Sequence, residues 1–332
     1  MKAIIPVAGA GTKLRPHTYT QPKALIPLAG KTILSIIVDQ LRESGIDEFI
    51  FIVGYLGEKI TDYLVDSYPD LKIHFVYQNE RQGIGHAIAL TREIVNKDEV
   101  FIVLGDTICE YSVKEVLEYP SSSIGIKRVD DPRDFGVAEI GEEGNISRVV
   151  EKPQIPKSNM ALVGIYKIRE SELLFDCLEE NIRKNIKSRG EFSLTDAIDC
   201  MINKGVIFNF FKVQNWFDCG KKETLLESNA TLLKKFGGKV AEDNVLENSI
   251  IIQPVAIAEG CIIKNSIIGP NVTIGEQTNI SASIVKNSII GSFADLDEIV
   301  LKNSIIGSDT DVKGETRSLN IGDNTEIHLG ES

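Results

Sequence analysis

Lys2-Ala3-Ile4-Ile5-Pro6-Val7-Ala8-Gly9-Ala10-Gly11-Thr12-Lys13-Leu14-Arg15-Pro16 reads as an apolar strand that empties into a glycine turn loaded with cations. Glycine has no Cβ to hold a ligand away and accepts φ > 0, so backbone N–H groups of such a turn can close on phosphate oxygens. The expected guest is an anion, a nucleotide phosphate. Two familiar phosphate motifs fail on spacing. The dinucleotide fingerprint G-x-G-x-x-G would need glycine where Leu14 stands, and the P-loop G-x-x-x-x-G-K-[ST] is absent.

Outward from that turn, short β-rich runs alternate with helical patterns up to about residue 236. Lys2–Ala8 is followed by a helix near 35–44, then Glu48–Tyr55, a helix near 59–67, Lys72–Gln78, a helix near 86–95 and Glu99–Thr107. Strands alternating with helices of this length predict crossover units and a mostly parallel sheet. Ligands of such sheets sit beyond the carboxyl ends of the strands. Gly9 to Arg15 and Gly105-Asp106 both lie at strand exits, so one crevice can take both.

The amphipathic stretch 221–236, closed by Gly237-Gly238, predicts a helix with a glycine C-cap. After it the period changes. Asn-Ser-Ile-Ile recurs at 248–251, 265–268, 287–290 and 303–306, with starts 17, 22 and 16 residues apart, and aliphatic residues fall near every sixth position between them. This is the pattern of a left-handed parallel β-helix of about three hexapeptides per turn. The expected domains are therefore 1–238 and 239–332, and a β-sandwich is the alternative for the second.

The chain has 332 residues, 42% of them hydrophobic and 25% charged, enough for two domains with buried cores. No secretory signal or membrane-length apolar run is visible, and five scattered cysteines without a C-x-x-C pair point to reduced thiols in a cytoplasm. A net charge of -12 disfavours nucleic acid or an anionic membrane as partner. An acidic protein that binds a polyphosphate must concentrate its cations, and Lys13, Arg15 and Lys23 stand in one short stretch.

Asp106 ends an apolar strand, and Asp218 lies in Trp216-Phe217-Asp218-Cys219-Gly220. A hard ion such as Mg²⁺ takes a few carboxylate oxygens together with phosphate oxygens and water, so these two acids suit it if they meet over the crevice. Gln78 offers both a donor pair and an acceptor, the equipment to read a pyrimidine edge, and Gly83-Ile84-Gly85-His86-Ala87 follows it as a second glycine turn. Glu151 and Lys152, adjacent on a strand, should project to opposite faces unless Pro153 bends the chain. The four histidines, His17, His74, His86 and His328, show no metal spacing, and no G-x-S-x-G nucleophile is present.

Together these segments resemble the sugar-1-phosphate nucleotidyltransferases, such as glucose-1-phosphate thymidylyltransferase and UTP–glucose-1-phosphate uridylyltransferase. The matching blocks are Gly9–Pro16 with Pro22-Lys23, the Gln78 and Gly83 segment, Leu104-Gly105-Asp106, Phe135-Gly136-Val137, Glu151-Lys152-Pro153, Val163-Gly164-Ile165-Tyr166 and Trp216–Gly220. The resemblance implies an α/β, Rossmann-like nucleotidyltransferase domain ahead of the β-helix. It also implies roles. Ala8, Gly9, Ala10, Gly11 and Thr12 with Lys23 would hold a nucleoside triphosphate beside Asp106, and Gln78 and Gly83 would meet its base. Gly136, Glu151 and Gly164 would line the sugar. Lys13, Arg15, Lys23 and Lys152 would be the catalytic cations, with Lys152 on the phosphate of the sugar 1-phosphate, and Asp106 and Asp218 would bind Mg²⁺.

Two departures stand out. Relatives usually carry arginine where Lys13 stands, which trades a planar fork for a point charge, and Arg15 is placed to compensate. Ala8 replaces a second glycine. The uridylyl branch resembles Pro6–Gly9 and Gly83–Ala87, whereas the thymidylyl branch resembles Leu14–Pro16 and 151–166, so base and sugar stay open, guanylyl specificity for mannose 1-phosphate included. A sensor without turnover and a β-helix acyltransferase are the other readings. The latter would need a histidine base in the coils, where only His328 lies, so the β-helix is expected to serve structure or a homo-oligomer.

Overall fold

The computed structural model describes residues 1–315, apart from the Asp218 side chain. His328 lies outside the described residues. Contacts divide the chain into two compact units, the first Met1–Ser228 and the second from Asn229 onward.

The first unit is built on one nine-stranded sheet. Its strands in chain order are β1 (Lys2–Pro6), β2 (Glu48–Val53), β3 (Lys72–Tyr77), β4 (Val100–Val103), β5 (Ser122–Arg128), β6 (Gly136–Ile140), β7 (Ile146–Glu151), β8 (Met160–Ile168) and β9 (Phe208–Lys212). They lie side by side in the order β3-β2-β1-β4-β8-β5-β9-β7-β6. The first four strands are mutually parallel. Their near-continuous apolar runs, such as the fully buried Phe49–Val53, suit a sheet covered on both faces. From β8 onward antiparallel pairs enter, because β6, β7 and β8 follow one another through short connections.

The helix Ile33–Arg42 starts where Thr32 and Ser35 exchange side-chain and backbone hydrogen bonds, a capping box. Ile33, Ile36, Ile37 and Leu41, at helical spacing, turn one face into the core. No helix among the described residues is long and apolar enough to cross a membrane.

The second unit carries three sheets, every one of parallel strands: five strands from Val245–Glu247 to Asp311–Lys313, four from Ile250–Ile251 to Val300–Lys302, and four from Val255–Ile257 to Ile305–Ile306. Successive coils pair residue on residue, as in Ile263 with Ile280 and Ile280 with Leu296. These side chains stack inside as a buried aliphatic column. This is the left-handed parallel β-helix that the repeat predicts. The corners carry left-handed residues, Asn248, Asn265, Asn287 and Asn303 among them. Asparagine tolerates that region better than other non-glycine residues, which is why it opens every Asn-Ser-Ile-Ile.

Candidate active site

The exit of β1 supplies the glycine turn. Gly11 sits at φ +59°, and a Cβ there would come within 3.0 Å of both Lys23 Cβ and Thr18 Cγ2. Only glycine leaves room for Lys23 to pass beneath the turn. Thr18 Oγ1 donates to Gly11 O at 2.9 Å and pins the turn from below. A Cβ on Gly9 would meet nothing within 4 Å, so that backbone faces open space where a ligand can approach it closely.

Beside the turn, β4 ends in Leu104-Gly105-Asp106. A Cβ on Gly105 would lie 2.4 Å from Val7 Cγ1, so the two strand exits touch only because this residue is glycine. Lys23 Nζ reaches Asp106 Oδ2 at 2.6 Å. Asp218 lies on a short strand, Trp216–Asp218, whose backbone pairs antiparallel with Thr107–Cys109, placing Asp218 opposite Thr107. Two acids distant in sequence thus occupy neighbouring backbone positions.

Gln78 is buried at the end of β3, and its Nε2 donates at 3.1 Å both to Gly83 O and to His86 Nδ1. The carbonyl can only accept, so it fixes the amide orientation, and His86 Nδ1 must then be the unprotonated nitrogen. Both amide hydrogens are spent, and Oε1 is the atom left to accept from a guest. The turn residues 8–12, Lys23, Gln78, Gly83, Asp106 and Arg81 line one hollow.

A second hollow adjoins it. Gly136, Glu151, Lys152, Gly164, Thr195 and Trp216 line it, and Asp106, Leu104, Ile84 and Glu191 border both. Glu151 and Lys152 face the same space, contrary to strict alternation along a strand. Lys152 stands just past β7 at φ +42°, which swings its side chain back until Nζ is 3.7 Å from Glu151 Oε1. Glu151 Oε2 accepts from Thr195 Oγ1 at 2.6 Å. Gly164, at φ +84°, marks an irregularity in the pairing of β8 with β5, and a Cβ there would strike Leu104 Cδ1 at 2.7 Å. Phe135 and Trp216, ring centroids 4.7 Å apart, form a wall.

Lys13 and Arg15 stand apart from both hollows. Each is exposed, and the Arg15 guanidinium lies over the Tyr19 ring at 4.8 Å. Lys23 and Arg81 are the cations that line the hollow of the glycine turn.

The nucleotidyl transferase family model matches residues 2–235. The chain belongs to this family. Over 99% of its length it is 32% identical to the low-salt glycan biosynthesis nucleotidyltransferase Agl11 of Haloferax volcanii, covering all of that protein. It is 32% identical to the glucose-1-phosphate thymidylyltransferase of Streptomyces griseus, across 90% of this chain and 83% of the other. The bifunctional protein GlmU of Methanocaldococcus jannaschii is 38% identical over 77% of this chain, which spans 61% of that longer protein. Among solved structures, a UDP-glucose pyrophosphorylase complexed with UDP-glucose superposes with a TM-score of 0.62 at 27% identity, over 70% of this chain and 98% of the other.

The family match, together with the thymidylyltransferase and pyrophosphorylase likenesses, supports sugar-1-phosphate nucleotidyltransfer as the activity of this chain. Sequence reasoning did not single out Arg81, Thr195 or Glu191. Arg81 stands inside the Gln78–Gly83 segment and could have been found there. Thr195 could not, since its link to Glu151 spans 44 positions.

Proposed function

We propose that this nucleotidyltransferase moves a uridylyl or thymidylyl group from UTP or dTTP to glucose 1-phosphate, releasing pyrophosphate and a nucleotide sugar. The observation that carries the reading is the pair of adjoining hollows sharing Asp106, one with the glycine turn and Lys23, the other with Lys152 and Glu151. A nucleoside triphosphate and a sugar 1-phosphate laid in them would bring their phosphates together at that shared edge.

In the step, a phosphate oxygen of the sugar 1-phosphate attacks the α-phosphorus in line, a new P–O bond forms, and the bond to the β-phosphate breaks. Both reactants are anionic, so alignment and charge neutralisation are the main tasks. Lys23 and the turn N–H groups would hold the triphosphate, and Lys152 the phosphate of the sugar. Glu151 Oε1, with Oε2 already committed to Thr195, accepts from sugar hydroxyls. The free Oε1 of Gln78 suits the N3–H of uracil or thymine, which supports a pyrimidine base.

Asp106, which borders both hollows, and Asp218, whose backbone pairs opposite Thr107, are of a chemistry that suits the Mg²⁺ that the family implies. Asp106 and Asp218 offer carboxylate oxygens, and no group of three metal-binding side chains forms a complete cage among the described residues. A hard ion that draws its other ligands from phosphate and water needs no more. Asp106 and Asp218 would hold it, and once bound it would offset negative charge on the phosphates. For the β-helix we propose a structural role in a homo-oligomer.

A panel of UTP, dTTP, GTP, CTP and ATP against glucose, mannose and N-acetylglucosamine 1-phosphates, read as pyrophosphate release, tests the assignment. UTP or dTTP with glucose 1-phosphate should turn over fastest, and chelation should abolish turnover. Silence across the panel, or a preference for GTP with mannose 1-phosphate, would overturn the reading.

A further inference from the structure

A short ion pair in the nucleotide hollow joins two groups that the proposed reaction needs elsewhere. Lys23 Nζ sits 2.6 Å from Asp106 Oδ2, with the lysine side chain 15% exposed and the aspartate 47%. The lysine is anchored at its root. Its Cβ lies beneath Gly11, and a tight turn over Lys23–Leu25, closed by Leu25 N donating to Pro22 O at 2.9 Å, fixes its backbone. Only the outer stem and the ammonium are free to move. An ammonium is a compact charge with rotatable donors, so it can change partners without rebuilding the site.

In this pairing the charges of Lys23 and Asp106 cancel, and the hollow offers a triphosphate little net attraction at that edge. We propose that Lys23 keeps the cation's place on Asp106: a divalent cation arriving at the carboxylate releases the ammonium to the nucleotide phosphates, so that cation and nucleoside triphosphate are captured together. The coupling is reciprocal, since whatever the cation does for the nucleotide the nucleotide does for the cation. It supplies a reason for lysine at position 23, because a guanidinium fork gripping the carboxylate with two bonds would be slower to leave.

This inference rests on the proposed placement of cation and nucleotide, yet its test needs no metal. Binding of metal-free UTP and dTTP is measured by calorimetry in excess EDTA, for wild type, Asp106→Asn, Lys23→Met and the double variant. Asp106→Asn frees the ammonium and should tighten metal-free triphosphate about tenfold, the scale on which close charge pairs couple. In the Lys23→Met background the same change should alter affinity by less than about twofold, giving a non-additive cycle. An equal gain in both backgrounds would mean that the carboxylate merely repels phosphate, and the place-keeping role would be overturned. So would no gain in either. Asp106→Ser, with melting curves for every variant, separates loss of fold from loss of coupling. Failure of the magnesium reading shows differently, as identical dependence of turnover on added Mg²⁺ in wild type and Asp106→Asn.

Discussion

Glu151 has two carboxylate oxygens and two unlike neighbours. Oε2 is held by the Thr195 hydroxyl at 2.6 Å, and Oε1 faces Lys152 Nζ at 3.7 Å. Gly136 completes the group, for a Cβ there would sit 3.2 Å from both Glu151 Oε2 and Thr195 Oγ1. Thr195 is therefore placed to orient Glu151 toward the proposed sugar site. A hydrogen bond to a charged group contributes about 1.5–3 kcal/mol, so Thr195→Val should raise KM for the sugar 1-phosphate at least about tenfold. The value of kcat and KM for the triphosphate should move little, and Thr195→Ser should recover most of the loss. Steady-state kinetics with each substrate varied in turn decides it, and an unchanged sugar KM in the valine variant would refute the role. The residue scale is where the sequence is least legible. Strand alternation sends Glu151 and Lys152 to opposite faces, and Pro153 is the local hint of a bend, without announcing the left-handed Lys152 that reunites them. Lys13 and Arg15 show the converse, conspicuous as cations yet turned to solvent in this structure.

The helix Leu194–Asn203 brings Thr195 to its task and carries two acids with it. Ser193 caps its first turn, its Oγ accepting from Thr195 N at 3.0 Å. Asp196, in that turn, has its carboxyl pushed above the usual 3.8, first by burial and further by the negative charges of Glu151 and Asp199, against one hydrogen bond from Ser188. Its Oδ2 is buried without a partner. A carboxyl whose folded pKa is raised contributes stability that is fully present below its unfolded pKa and lost as pH rises through the folded value. Wild type should lose melting temperature across that window, and Asp196→Asn, which cannot ionise, should lose less. Melting curves from about pH 3.5 to about pH 6.5, the range a perturbed carboxyl covers, should therefore diverge in favour of the asparagine variant. Parallel curves would dismiss the buried charge. Elements as such were readable from periodicity, with helices expected near 35–44 and 59–67 appearing as Ile33–Arg42 and Gly57–Ser67. The one expected near 86–95 is two, Ile84–Ala89 and Arg92–Val95. They separate at Thr91, a buried residue whose hydroxyl folds back to Ile88 O at 2.7 Å, a local bond that competes with helix propagation.

Across the whole molecule two periods coexist, and the second holds a detail that counting repeats did not reveal. The first two Asn-Ser-Ile-Ile copies place their isoleucines in the sheet of Ile250–Ile251 and Ile267–Ile268, while the last two place theirs in the sheet of Ile289–Ile290 and Ile305–Ile306. The longer interval between the second and third copies is one coil plus a step to the next face. The motif specifies a corner, with asparagine in the left-handed turn and serine bonding the neighbouring coil, as Ser266 Oγ does for Ser283 N at 3.1 Å. Inner and outer rows then have separate duties. Ile280 is 1% exposed in the stacked column, whereas Ile284 is 43% exposed in an outer row that runs in register from Ile250 through Ile267 and Ile284 to Val300. A row of aliphatic side chains on a flat parallel sheet invites another copy of the chain. Ile280→Ala should lower the melting temperature, since a buried isoleucine cut to alanine costs about 2–5 kcal/mol. Ile284→Glu should leave melting of the fold nearly unchanged and, with the proposed homo-oligomer packed on this row, lower the sedimentation coefficient by dispersing it. A glutamate variant that sediments like wild type would remove this face from the assembly, and one that melts as early as Ile280→Ala would show that the outer row belongs to the core.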